Sequence, residues 1–183
     1  THETALNYSV GFRGPNSRDF IRSFADYALE NDLGGNHYSD PDLTLRDHAG
    51  NVDDYELERV RQMMVDTISQ PEDFRQWFGR FATTPRHELD IAPAEPPYES
   101  HEIIDALMQG ETLMRLSGLR VLNVGERFFV NSEPLETSQH AAADALCRFT
   151  LISKKELGDA LEDAEFVCVL TDLVNQGYWY FDE

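Results

Sequence analysis

The chain has 183 residues, 41% of them apolar with 11 Phe, 7 Tyr and 2 Trp, so it can bury a core and is not disordered by composition. No apolar run approaches the ~18 residues of a membrane span, and the polar, non-basic beginning does not read as a signal peptide, which makes the cytoplasm the expected location. The net charge of −19 is spread over the chain, with 18 acids against 9 bases in residues 1–98 and 16 against 6 in 99–183. Both parts repel a phosphate backbone, so direct nucleic-acid binding is disfavoured and a basic partner is attracted; solubility alone also accounts for such a surface.

Residues 5–13 alternate with period two: Leu6, Tyr8, Val10 and Phe12 fall on one face, and Asn7, Ser9, Gly11 and Arg13 on the other. Gly14-Pro15 stops this strand, and Asn16 or Ser17 caps a helix bearing Phe20, Ile21, Phe24, Ala25, Tyr27 and Ala28 at helical spacing. A strand needs neighbours for its backbone groups, and the next convincing one lies far downstream. The chain therefore reads as the C-terminal part of something larger.

Glycine chemistry at Gly34-Gly35 is expected to end the first helix. The polar loop behind it holds His37, Asp40 and Asp42; turn chemistry explains Asp-Pro-Asp better than a metal site does. Asp53-Asp54 opens a second helix with a Leu57, Val60, Met64, Ile68 stripe, and Pro71 starts a third with Phe74, Trp77, Phe78 and Phe81 on one side. Three short helices with such stripes bury little by themselves, which points to a helical homodimer interface carried by Phe20, Ile21, Phe24, Trp77 and Phe78. A base-stacking platform is the sharper alternative, and the acidic surroundings oppose it.

Pro85, Pro93, Pro96 and Pro97 mark a stiff connection over residues 85–99. His87-Glu88 and His101-Glu102 fail as zinc-protease motifs, because Ile91 and Asp105 stand where the second His belongs. Beyond the connection, Ser100 is the expected cap of a helix ended by Gly110, and Leu113 to Arg115 form a short strand. A hairpin turns at Gly125-Glu126, residues 141–148 are helical, and Ser153 to Glu156 is a capping box. Asp163 caps a last helix closed by Gly177, and residues 178–181 end in an aromatic strand. Cys147 and Cys168 read as buried free thiols. This alternation of helices and hairpins suggests a winged-helix-like module with too few Lys and Arg to read DNA.

Several stretches, in order, resemble the bacterial ribosomal oxygenases: residues 7–13, Phe24-Ala25-Asp26-Tyr27, residues 33–42, Gln76-Trp77-Phe78-Gly79, residues 86–93, Gly118 to Leu122 and the ending Gly177-Tyr178-Trp179. These are cupin or JmjC-type, Fe(II)- and 2-oxoglutarate-dependent hydroxylases of an arginine in a large-subunit ribosomal protein. The resemblance implies a mainly α fold with small β parts. Residues 1–15 would be the last strand of a double-stranded β-helix, 16–84 a helical dimerisation region, 85–99 a linker and 100–183 a winged-helix-like domain. It also implies that Asn7 and Ser9 face the cosubstrate. The family's His-x-Asp/Glu iron pair does not occur in the sequence, so Fe(II) and 2-oxoglutarate are expected in a longer parent and not on this chain alone. The alternative is a standalone acidic interaction module without chemistry.

Overall fold

A computed structural model describes residues 14–45, 48 and 50–181. The period-two strand, with Asn7 and Ser9, lies outside them. The chain divides into two compact units, residues 1–67 and 68–183.

In the first unit, α1 (Ser17–Glu30) begins because Asn16 can satisfy its free amides. The Asn16 side chain accepts from the amides of Arg18 at 2.9 Å and Asp19 at 3.3 Å, and Asp19 accepts from the Asn16 amide at 2.9 Å. The helix ends differently from the glycine stop expected. Asp32 takes the left-handed conformation (φ 53°), and the amide of Leu33 reaches back to the carbonyl of Ala28 at 2.8 Å. This is a Schellman ending in which a short polar side chain replaces glycine. Gly34 (φ 76°) is needed for another reason, since a Cβ there would stand 2.7 Å from Thr67 Oγ1. α2 (Asp54–Ile68) follows the polar loop and holds it: the Arg59 guanidinium donates to the Ser39 carbonyl at 2.6 Å, pairs with Asp40 and Asp42 at 3.6 and 3.5 Å, and lies over the Tyr55 ring.

The second unit holds α3 (Pro71–Thr83), α4 (Ser100–Gln109), α5 (His140–Arg148), α6 (Lys154–Leu157), a 3-10 turn (Gly158–Glu162) and α7 (Ala164–Asn175). Its two antiparallel sheets have the orders β5-β1-β6 (Leu151–Ile152, Leu113–Arg115, Trp179–Phe181) and β2-β3-β4 (Val121–Val124, Arg127–Val130, Glu133–Leu135). The second sheet folds through two tight turns, Gly125-Glu126 and Asn131-Ser132, with positive φ at all four residues. That is the turn geometry whose twist matches a hairpin. β4 and β5 leave no signal in the sequence. Each is only two or three residues long, too short for alternation to show. Glu99, not Ser100, caps α4, and its amide donates to Glu102 Oε2 at 2.8 Å.

One core joins these elements: Ile103 and Leu107 of α4, Leu113 of β1, Leu146 of α5, Phe166, Leu170 and Val174 of α7 and Trp179 of β6 are buried together. Cys168 is exposed, against expectation, because it lies two residues from Phe166 and so turns away from the buried stripe of α7. Cys147 is half-buried, and burial pushes its thiol up to about 11.

By sequence alone α3 groups with the two helices before it. In the structure its contacts run to β2, β3 and β4. Gly79 lets it approach, since a Cβ there would fall on the Phe129 ring. The buried Thr83 hydroxyl accepts from the Ser132 amide at 3.0 Å, and Arg120 caps the helix end by donating to the Ala82 carbonyl at 3.2 Å. The Pro-rich segment is laid along the same unit. The Asn175 side chain bonds both backbone groups of Tyr98, at 2.7 and 3.0 Å, and the Ala94 amide donates to the Asn175 carbonyl at 3.0 Å. Gly177 (φ 78°) leaves room for the carbonyl of Ala92. The winged-helix-like expectation for this part of the chain agrees with these elements.

Candidate functional site

Helical periodicity selects a face without saying what covers it, and the five residues expected at an interface separate on this point. Phe24 and Trp77 are buried, at 7% and 4% exposure, and Phe20 is half-buried. Ile21 is 70% exposed, and Phe78 lies at the surface. The Trp77 ring meets Phe74 and Phe81 of its own helix, with centroids 5.1 and 5.7 Å away.

The larger exposed apolar surface lies on α2. None of its residues is buried. Leu57, Val60, Met64 and Ile68, spaced three or four apart, form a stripe on one face, and all four are exposed. On α1, Ile21 and Leu29 stand two turns apart and are exposed too. Exposed stripes of this length mark association surfaces in soluble proteins. The sequence shows the same α2 stripe among those that point to a homodimer, although period alone does not single out its residues over those of α1 and α3.

Among the described residues no such organisation exists for a metal. Iron chemistry of this class needs two His and a carboxylate around one point. Among the described residues no three His, Cys, Asp or Glu side chains converge on a site for an ion. Asp40 and Asp42, the carboxylates nearest in sequence to His37, are engaged by Arg59 and by the Tyr55 hydroxyl, at 3.3 and 3.5 Å from the latter. These donors do not fit the group. Among the same residues, no helix is long and apolar enough to cross a membrane.

Comparison with known proteins places this arrangement. The ROXA-like winged helix family matches residues 66–180. The ribosomal protein uL16 3-hydroxylase of Escherichia coli K12 is 52% identical over 180 residues, which cover 98% of this chain and 48% of that protein. The crystal structure of the E. coli ribosomal oxygenase YcfD superposes with a TM-score of 0.90 at 51% identity, over 94% of this chain and 48% of that one. A YcfD complex with cobalt and 2-oxoglutarate gives a TM-score of 0.89 at 51% identity, over 95% and 48%. The chain thus spans about half the length of the relatives it matches. With the family match running from the last turn of α2 into β6, the chain belongs to the ROXA-like winged-helix proteins.

Proposed function

We propose that this chain works as the association region and winged-helix unit of a longer Fe(II)- and 2-oxoglutarate-dependent ribosomal protein hydroxylase, and is not catalytic by itself. The observation that carries this reading is the 52% identity to a uL16 3-hydroxylase over nearly all of this chain and only 48% of that protein. The cobalt and 2-oxoglutarate held by the relative support the cofactor class. The division of labour follows the chain. Residues 1–15 close the catalytic barrel, with Asn7 and Ser9 toward the cosubstrate. Residues 16–84 supply a homodimer contact, 85–99 connect, and 100–183 form the winged-helix unit onto which α3 packs. The exposed stripes of α1 and α2 support the dimer, and the acidic surface supports a basic protein substrate in the cytoplasm over nucleic acid.

The target is an arginine side chain of a large-subunit ribosomal protein. The test is to supply the full-length protein with Fe(II), 2-oxoglutarate and uL16, and to read the mass of uL16. Addition of one oxygen by the full-length protein, and none by the 183-residue chain, is the expected result. An unmodified uL16 in both reactions overturns the reading.

A further inference from the structure

The β5-β1-β6 sheet buries one face and leaves the other bare. Alternation along its strands turns Leu113, Ile152 and Trp179, all fully buried, into the core. The residues between them turn outward and stand in register across the sheet, Leu151 of β5 opposite Met114 of β1 and Met114 opposite Tyr180 of β6. Leu151 is 55% exposed, Tyr180 is 39% exposed and Met114 is half-buried. Phe149, in extended backbone two residues before Leu151, falls on the same side by alternation and is 46% exposed. The solvated face of an antiparallel sheet ordinarily carries polar side chains, and this row has none. Beside it, residues 148–155 hold Arg148, Lys154, Lys155 and no acid, in a chain of net charge −19. Arg148 is paired with Asp144 at 2.7 Å, and the two lysines, which open α6, are exposed.

We propose that this face is covered by the part of the longer protein that lies outside this chain, through an apolar surface with carboxylates toward α6; the existence of that part rests on the function proposed above. Size argues for a tethered occupant. A separate protein needs roughly 20–30 residues a side to hold on stably. This row offers Phe149, Leu151, Met114 and Tyr180, on strands of two or three residues. A covalently linked segment needs no such area, because its contact is intramolecular and its effective concentration high. Such a segment is available, since slightly more than half of the uL16 hydroxylase lies outside its match of 48% with this chain. Charge narrows the chemistry. Lys154 and Lys155 favour carboxylates opposite them and oppose a basic ribosomal protein at this edge.

Hydroxyl-radical footprinting read by mass spectrometry compares the 183-residue chain with the full-length protein. Met114, Leu151 and Tyr180 are expected to react about fivefold more slowly, or less, in the full-length protein, and to stay protected after about tenfold dilution, because a tethered contact does not depend on concentration. Leu122, exposed on the other sheet, is the internal reference. A zero-length carbodiimide, which joins a lysine to a carboxylate it touches, is expected to link Lys154 or Lys155 to an Asp or Glu outside this chain; these are the chain's only lysines, so the assignment is unambiguous. Equal reactivity in the two proteins, or protection that is lost on dilution and so comes from a second copy, overturns the proposal. So does the absence of lysine links to residues outside this chain. Oxygen transfer to uL16 separates these outcomes from the functional reading. A full-length protein that modifies uL16 with the face unprotected sinks the covered face alone. Failure to modify uL16 sinks the functional reading, and the footprint still decides the face.

Discussion

Gly79 is the position where a single methyl group has the largest consequence. It sits where α3 crosses the sheet, with the buried Phe129 ring in the space a Cβ would take. Neither a helix backbone nor a sheet strand can yield locally, so overpacking is relieved only by separating the two. Gly79→Ala is expected to lower stability by about 1–3 kcal/mol, read as a lower urea midpoint with an unchanged slope. An unchanged midpoint would show that the contact is loose. At the start of α7, the Asp163 carboxylate accepts from the Phe166 amide at 2.9 Å and from Gln139 at 2.7 Å. The backbone bond first, and then the Gln139 bond, hold its pKa below the usual carboxylate value. A depressed folded-state pKa contributes stability above the ordinary carboxylate range, and that contribution is lost as pH falls through the folded value. Asp163→Asn still caps the helix but cannot titrate. Its thermal midpoint should therefore fall less steeply than that of the unaltered chain on acidification from neutral pH, and parallel acid limbs would remove Asp163 from the account.

At the scale of elements, the helices and their caps were legible because their signals are local. Asn16, Pro71, the Ser153–Glu156 box, Asp163 and Gly110 each act within one turn. Sequence position said less about partners. α3 was grouped with its chain neighbours, yet the reason it lies on β2–β4 is Gly79 meeting Phe129, two residues fifty positions apart. β4 and β5 carried no periodicity to read, and the hold of Asn175 on Tyr98 depends on a side chain 77 residues away. Of the residues expected at an interface, Ile21 is exposed and Trp77 buried, a difference that periodicity does not carry. The account predicts that Ile21→Arg or Met64→Arg, each placing a charge in an exposed apolar stripe, turns a dimer into a monomer in sedimentation velocity, without loss of helical signal. A variant that stays dimeric would remove that helix from the interface. Neither variant should unfold the chain, because neither side chain is buried.

At the scale of the whole molecule, the acidic charge, the winged-helix core and the exposed helices suit the supporting role proposed above. The chain's resemblance to ribosomal oxygenases could be read from ordered stretches of sequence. The donor geometry could not, because metal ligands are defined by convergence in space. Among the described residues, Asp40 and Asp42 are bound to Arg59 and no cluster of donors replaces them. The proposal made above, that the chemistry of a longer protein resides in residues outside this chain, rests on the 48% of the uL16 hydroxylase that the chain covers. Calorimetric titration with Fe(II) and with 2-oxoglutarate, performed on this chain and on the full-length protein, tests it most directly. The account predicts that the full-length protein binds both and the 183-residue chain binds neither. Tight, stoichiometric iron binding by the chain alone would contradict it, and would place the metal on residues assigned here to association and support.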